Sequence, residues 1–380
     1  MEIKTNHKSR KRHFFLDNLR IYLTILVILH HTAIAYGGSG DWAVRDPPVD
    51  EITPILLTFL VAVNQSYFMS AFFLIAGYFT PRSLERKGAA TFIKDRFIRL
   101  GIPILVFSTL IINLNQVILD VWQRGRPFKW VVTYSVGHLW FLQALLIFTL
   151  IYVGCRALAD RVSGWLQIRF FPESFPLDRH MVMSVFLLSV LTFIVRIEYP
   201  VGRWLDPGFQ LAHFVHYTFA FFVGILAYRG DWLNKLSRDQ ARRWGKVTLI
   251  MLPIFFVIAI LGGASESDAT LVKFLGGLHW QSLVYTIWES IMFIATLTFL
   301  LYFFREHLNN SSPRLRLAAA SVYTVYIIHQ TVVYALNIFF LSVSIPAVVK
   351  FVVVSLIAIP VCFLLAVLIR RLPYTSKVLG

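Results

Sequence analysis

The strongest constraint on the fold is a series of ten apolar runs, each long enough to cross a lipid bilayer. A helical span needs about 20 residues, and the chain provides such runs near residues 14–36, 53–79, 101–121, 137–157, 181–197, 210–228, 247–263, 279–304, 318–340 and 347–369. With 57% hydrophobic residues, the chain also has too little polar surface for a soluble globule. We therefore predict an all-α, polytopic integral membrane protein with about ten transmembrane helices.

Basic residues are concentrated in alternate connections between these runs. If the N-terminus is cytoplasmic, the inner segments hold 27 of the 36 Lys and Arg residues, in agreement with the positive-inside rule. An even number of helices then places both termini in the cytoplasm, as in a multi-pass protein of the cell membrane. The same distribution explains the formal charge of +16, so the expected partner is the lipid bilayer and not nucleic acid.

No internal repeat, low-complexity tract or long linker divides the chain. We predict one membrane domain over residues 14–373, between a basic cytoplasmic tail (1–13) and a cytoplasmic C-terminal tail (374–380). The first apolar run lacks a small-residue cleavage site, so we interpret it as an uncleaved transmembrane helix.

The first apolar run contains three ionisable residues at helical spacing. Arg20 and His31 are eleven residues apart, so both face the same side of a helix, about 16 Å apart along its axis. Asp17 can contact Arg20 on that face. Such residues in a membrane helix usually face a protein interior or a water-filled cavity. The alternative is that Arg20 reaches lipid headgroups and His31 is only a packed polar residue.

Further ionisable residues follow in later segments. Arg96 and Arg99 lie at i, i+3 on a predicted cytoplasmic helix and could bind one anion together, or could serve only to set topology. Glu289 in the eighth run needs a partner or a proton. It could line a cavity, support Arg20 or be structural.

The histidines do not form a recognisable ligand set. His213 and His216 offer only a weak i, i+3 pair for a metal or haem. We predict no bound metal and no permanently bound cofactor, and we expect His213, His216 and His279 at the outer membrane interface.

Five ordered motifs are more specific than any of these residues alone. They are "FLDNLRIYLTILVILHH", "FFLIAGYFTP", "DRFIRLGIP", "GHLWFLQALL" and "SVYTVYIIHQTVV". In this order they resemble the signature blocks of the membrane acyltransferase family 3, from Phe14 to about Pro373. Within that family the chain is similar to the transferases that succinylate osmoregulated periplasmic glucans. The resemblance implies an O-acyltransferase that moves a small acyl group, acetyl or succinyl, from cytoplasmic acyl-CoA to a hydroxyl of an extracytoplasmic glycan.

The resemblance also assigns residues. The family's Arg followed eleven residues later by His matches Arg20 and His31, and its basic pair matches Arg96 and Arg99. Candidate cavity-lining residues are His138, Trp140, Glu289, Tyr326 and His329. Many relatives have Ser-Gly where this chain has Ala76 and Gly77, so no serine hydroxyl can act there. The small pair would instead permit close helix approach.

These residues suit one mechanism. Arg20, Arg96 and Arg99 would bind the CoA diphosphate, with Asp17 orienting Arg20, while the pantetheine arm spans the distance to His31. A neutral His31 could take the proton of a sugar hydroxyl that attacks the thioester. An acyl-His31 intermediate is the alternative to direct transfer.

The main rival function is a polytopic transporter or flippase of a glycan-related substrate, because a charged cavity among ten helices suits it equally well. The absence of inverted repeats weighs against it, and a purely structural role is the third possibility. The acyl group and the acceptor stay open. A succinyl carboxylate would need an outer cation, for which the candidates are Arg124, Arg126, Lys129, Arg196 and Arg203.

Overall fold

The structure is a computed structural model that describes residues 13–127, 136–161, 174–264 and 267–379. Within these ranges ten helices are long and apolar enough to cross a membrane, and no β-strand occurs in them. The predicted all-α polytopic fold is therefore confirmed. The predicted N-terminal tail, except His13, lies outside the described residues, as do Lys129 and Gly380.

The ten spanning helices are α1 (Phe14–Ala35), α2 (Ile52–Lys87), α3 (Ala89–Gln123), α4 (Trp140–Arg161), α5 (Asp178–Glu198), α6 (Phe214–Gly230), α7 (Arg238–Leu261), α8 (Trp280–His307), α9 (Pro313–Leu341) and α10 (Ala347–Arg370). Short 3₁₀ turns precede two of them, at Gly137–Leu139 and Leu211–His213. Three shorter helices are Trp232–Lys235, Asp268–Leu275 and Thr375–Leu379. The last of these lies within the predicted C-terminal tail.

Helix α3 differs from its prediction in both length and regularity. It begins at Ala89, whereas the apolar run begins near residue 101, because its first turns carry polar residues that hydropathy does not count. Three π-helical segments interrupt it, at Phe97–Gly101, Phe107–Ile111 and Val117–Gln123. Such segments often occur at functional sites. Arg99 therefore lies in a π segment, and its spacing from Arg96 is not that of a regular α-helix.

Helices α1, α2 and α8 form the centre of the bundle. In their most apolar windows 61%, 67% and 67% of residues are buried, against 11% in α7. Helix α1 packs against α2, α8, α9 and α10, and α7 contacts α8 at the edge. Side chains on α1 consequently face other helices on most sides, which places His31 inside the protein.

Helices α2 and α6 approach most closely at two glycines. A Cβ added at Gly77 would lie 2.1 Å from the carbonyl oxygen of Phe221, and one at Gly224 would lie 2.1 Å from that of Leu74. Because these atoms belong to the backbone, they cannot move aside at low cost. The close approach predicted at Ala76–Gly77 is thus confirmed.

The loop between α1 and α2, residues 36–51, ends in a side-chain cap. The Asp50 carboxylate accepts hydrogen bonds from the Thr53 backbone N–H at 2.7 Å and from the Thr53 hydroxyl at 2.8 Å. These bonds hold the pKa of Asp50 below its usual range. The start of α2, and with it the end of the loop, is fixed by this cap.

Candidate functional site

Six side chains form a closed ring of contacts beside the distal half of α1, the half remote from Arg20. We name this set the histidine ring: His31, Trp42, Tyr334, Gln330, His138 and His329. They come from α1, the α1–α2 loop, the turn before α4, and α9. The fold thus brings together three of the sequence-predicted residues, His31, His138 and His329.

His31 stacks with two other members of the ring. Its imidazole lies 4.5 Å from the Trp42 ring and 5.2 Å from the His329 ring, centroid to centroid, with interplanar angles of 20° and 24°. Its side chain keeps some exposure, and its Nδ1 is buried without a hydrogen-bond partner among the described residues. These contacts fix the plane of the imidazole, while one of its nitrogens stays without a partner among the described residues.

His138 is held on both sides by oxygen atoms. Its Nδ1 lies 2.8 Å from Gln330 Oε1, and its Nε2 lies 3.0 and 3.1 Å from the carbonyl oxygens of Tyr326 and Ile327. The Tyr326 hydroxyl donates to the His138 carbonyl. Because both ring nitrogens are engaged, His138 joins α4 to α9 and is not a free base.

A hydrogen bond to the backbone defines the neutral tautomer of His329. Its Nδ1 donates to the Tyr326 carbonyl at 2.7 Å, so its Nε2 carries the lone pair. That Nε2 is buried and has no partner among the described residues. The ring therefore contains two imidazole nitrogens that could accept a proton, one on His31 and one on His329.

His30 faces a different neighbour. It stacks on Phe68 of α2 at 4.9 Å, whereas His31 faces α9. Adjacent residues on a helix are rotated by about 100°, so the two side chains leave α1 in different directions, although their rings still meet edge-on at 5.4 Å. His30 lies outside the histidine ring.

Three arginines lie toward the opposite end of the bundle. Arg20 Nη1 is 3.8 Å from Asp17 Oδ1, and the Arg20 side chain is 33% exposed. Arg96 lies over the Phe92 ring, and the carbonyl of Arg99 accepts a hydrogen bond from the Tyr323 hydroxyl.

The position of Tyr323 on α9 gives the distance between these cations and the histidine ring. It precedes His329 by six residues on α9, about 9 Å by helical rise. The N-terminus of α1 is held at the same end, since Asn18 Nδ2 donates to the carbonyls of Leu308 and Asn310 between α8 and α9. Cationic side chains thus lie at one end of α1 and α9, and the histidine ring lies two to three turns further along.

Glu289 pairs with Arg196 and not with Arg20. Its Oε2 lies 2.6 Å from Arg196 Nη2, and both side chains are essentially without exposure. His213 Nδ1 lies 3.5 Å from Glu289 Oε1 and 3.3 Å from Arg196 Nη2. We name Arg196, Glu289, His213 and His216 the ion-pair cluster. It joins α5, α6 and α8.

His213 and His216, which we expected at the outer membrane interface, do not face outward from the bundle. Both are buried, and His216 Nε2 lies 3.1 Å from the Ser290 hydroxyl. Hydropathy locates a helix end but gives no direction for a side chain, and the polar partners on α8 draw these residues inward. His279, by contrast, is exposed. Arg196, a candidate for a succinyl carboxylate, already has Glu289 as its counter-ion.

Trp140 lies in a separate aromatic stack. Its ring is 5.3 Å from Tyr217, which stacks on Phe73 at 5.0 Å and accepts a hydrogen bond from Gln65. This stack lies between α2, α4 and α6, and Trp140 is not a member of the histidine ring. In the described residues, no group of three or more His, Cys, Asp or Glu side chains could hold a metal ion.

Sequence reasoning missed Trp42, Gln330 and Tyr334. Trp42 lies in a Gly-rich polar loop, where a single large aromatic residue was the available signal. Gln330 and Tyr334 are four residues apart on α9, with Gln330 directly after His329, so they border the predicted site by helical periodicity. None of the three is ionisable near neutral pH, which is why a search for acids and bases passed over them.

Comparison with known proteins identifies relatives with a shared name. Glucans biosynthesis protein C of Salmonella heidelberg (strain SL476) is 28% identical over 204 residues, which cover 50% of this chain and 49% of the relative. The protein of the same name from Salmonella schwarzengrund (strain CVM19633) is 27% identical over 203 residues. The chain spans about half the length of the curated relatives it matches.

No solved structure matches the chain. The acyltransferase 3 profile, which describes an acyltransferase domain, matches residues 13–367. This range takes in all of α1 to α9 and most of α10, and so includes every residue of the histidine ring and of the ion-pair cluster. The chain therefore belongs to the acyltransferase 3 family.

Proposed function

We propose that this protein is a membrane O-acyltransferase that moves an acetyl or succinyl group from cytoplasmic acyl-CoA to a hydroxyl of an extracytoplasmic glycan. The observation that carries the proposal is the pair of unpartnered imidazole nitrogens on His31 and His329, held in a buried ring. An acyltransferase needs a base at the attacking hydroxyl, and imidazole suits this role at neutral pH.

Acyl-CoA would enter from the end that carries Arg20, Arg96 and Arg99. Guanidinium groups bind phosphate oxygens with two parallel hydrogen bonds, so these side chains suit the CoA diphosphate. The pantetheine arm would then run along α1 and α9 to the histidine ring, about 16 Å from Arg20 by helical rise. In this arrangement the acyl group reaches the distal half of the bundle while the CoA head stays at the cytoplasmic end.

Transfer would proceed by direct attack. The acceptor oxygen forms a bond to the thioester carbon while His31 takes the hydroxyl proton, and the tetrahedral intermediate then expels the CoA thiolate. That thiolate regains a proton from the His31 imidazolium, which restores the base. An acyl-His31 intermediate is the alternative route.

A glycan acceptor is supported by the relatives, which are named for glucan biosynthesis. The excess of Lys and Arg in alternate connections supports cytoplasmic termini in the cell membrane. With that orientation the histidine ring lies in the outer half of the bilayer. A reporter active only outside the cytoplasm should then give no signal when it is attached after Gly380.

The proposal is tested with purified protein in liposomes. Acetyl-CoA and succinyl-CoA are supplied on the side of the termini, a glucan oligosaccharide is supplied on the other side, and released thiol is measured. We expect thiol release that depends on both the protein and the glucan. Movement of the glucan or of acyl-CoA across the bilayer without thiol release would contradict the proposal and favour a transporter.

A further inference from the structure

The α1–α2 loop, residues 36–51, buries the side chains of Tyr36, Trp42 and Val44 although most of its residues are exposed. Trp42 is 6% exposed and Val44 is fully buried, whereas their neighbours Asp41, Ala43 and Arg45 are exposed. The loop therefore turns Trp42 inward, toward the end of α1 that carries His31.

Three sets of contacts hold the loop in this position. The Asp46 backbone N–H donates to the Ala35 carbonyl at 2.8 Å, and the Arg45 guanidinium donates to the carbonyls of Gly38 and Gly40 at 3.2 Å. The Asp46 carboxylate lies 2.5 Å from the ammonium group of Lys350, a buried residue of α10. Since a buried cation is costly without its counter-ion, this pair holds the loop against α10.

Trp42 combines two properties relevant to His31. Its ring stacks on the imidazole at 4.5 Å and meets Tyr334 edge-on at 4.7 Å. Its indole Nε1 is buried and has no acceptor among the described residues. An indole nitrogen can only donate a hydrogen bond, so the ring contains a fixed donor beside its two candidate bases.

We propose that the Trp42 indole N–H donates a hydrogen bond to the carbonyl oxygen of the acyl group, and that Trp42 also holds His31 in place. The inference rests on the proposed function. When the acceptor hydroxyl attacks the thioester carbon, the carbonyl electron pair moves onto this oxygen, and His31 takes the hydroxyl proton. The negative oxygen then needs a preorganised donor.

Four other members of the ring are less suited to this role. The His138 nitrogens and the Gln330 amide are already paired within the protein. His329 Nε2 carries a lone pair, and His31 must accept a proton. Trp42 is thus the member of the ring whose polar atom is unpartnered and can only donate a hydrogen bond.

The test compares three variants in liposomes supplied with acetyl-CoA or succinyl-CoA and a glucan oligosaccharide. Trp42→Phe keeps an aromatic ring against His31 but removes the N–H, and Trp42→Ala removes both. Trp288→Phe is the matched control, because Trp288 is also buried and its indole donates to the Met251 backbone carbonyl at 2.8 Å. Measurements are kcat per folded molecule, acyl-CoA affinity, and carbethoxylation of His31 by mass spectrometry.

We expect Trp42→Phe to lower kcat by about 10²–10³-fold, the usual effect of losing one such donor, with unchanged acyl-CoA affinity and unchanged His31 labelling. Trp42→Ala should lower kcat at least as much and increase His31 labelling. Trp288→Phe should leave kcat within about threefold of wild type.

Two results would overturn the inference while leaving the proposed function intact. One is a Trp42→Phe kcat within about threefold of an active wild type, and the other is an equal loss of kcat in Trp288→Phe. A wild-type protein that releases no thiol from either acyl-CoA would instead contradict the proposed function, and the inference with it.

Discussion

The histidine ring and the ion-pair cluster are both buried polar sites in one helical bundle, but their polar atoms are used differently. In the cluster, Arg196 and Glu289 neutralise each other at 2.6 Å, with His213 beside them. In the ring, nitrogens of His31 and His329 and the indole of Trp42 have no partner among the described residues. Unpartnered atoms occur in both sites, since Arg196 Nη1 and Glu289 Oε2 also lack a hydrogen-bond partner among the described residues. The difference is that the cluster contains a salt bridge between two buried charges, whereas no carboxylate belongs to the ring.

This difference separates two expected phenotypes. Removing a ring base should stop chemistry in a protein that still folds. Removing one charge of the cluster should lower stability in a protein whose folded fraction still reacts, since the other charge stays buried without a counter-ion.

The largest effect is expected for His31→Ala, which should lower acyl transfer by about 10²–10⁴-fold while acyl-CoA still binds. The reason is that the proposed base acts on the acceptor and lies about three turns from the proposed phosphate site. Transfer and acyl-CoA affinity are measured in the same membranes. The control is His30→Ala, because the His30 imidazole stacks on Phe68 and only borders the ring, edge-on to His31. Near-normal transfer by His31→Ala, or an inactive His30→Ala, would place the base elsewhere.

Glu289→Gln should lower the free energy of unfolding by about 3–5 kcal/mol, because it leaves Arg196 charged and buried. Thermal denaturation of the purified protein measures the change. Glu198→Gln is the control, since Glu198 pairs with Arg203 at the surface and should have no measurable effect. If Glu289→Gln were fully stable but inactive, the cluster and not the ring would be part of the reaction site.

Arg20→Ala, Arg96→Ala and Arg99→Ala should each weaken acyl-CoA binding by about tenfold or more, because a hydrogen bond to a charged group contributes about 1.5–3 kcal/mol. Equilibrium binding of acyl-CoA to each variant measures this. Arg243→Ala is the control, since Arg243 is a largely exposed cation on α7 that pairs with Asp178. Unchanged affinity in all three variants would make these residues determinants of topology only.

Gly77→Ala should destabilise the protein by about 1–3 kcal/mol, since the added methyl group overlaps the Phe221 carbonyl of α6. The effect should not distinguish the two regions, because α2 packs against α1, which carries His31, while α6 carries His216 and follows the turn that contains His213. Thermal denaturation again provides the measurement. Gly154→Ala adds a methyl group to open space and should be neutral or slightly stabilising. Equal stability of the two variants would refute the close contact.

The ten helices could be predicted from the sequence because each span needs a long apolar run, which hydropathy detects directly. Helix bounds were less accurate where polar residues extend a helix beyond the apolar region, as at Ala89 in α3. Helical periodicity also predicted that His30 and His31 leave α1 in different directions, and in the structure they stack on Phe68 and on His329 respectively.

The partners of buried charges could not be predicted in the same way. Arg196 and Glu289 are 93 residues apart, and their pairing depends on how α5 and α8 pack. Trp42 reaches His31 only because the loop folds back and is fixed by Lys350, more than 300 residues away in the chain. Such contacts depend on tertiary structure, which local spacing does not determine.

The most direct test of the comparison is to locate the acyl group in the protein. A photoreactive analogue of acyl-CoA, with the reactive group on the acyl chain, is crosslinked and the labelled residues are identified by mass spectrometry. We predict labels on His31, Trp42 or His329, and a loss of labelling when excess acyl-CoA is added. Labels concentrated on Glu289, on His213 or on Tyr285, whose ring faces the Arg196 guanidinium, would contradict the assignment of the histidine ring as the site of acyl transfer.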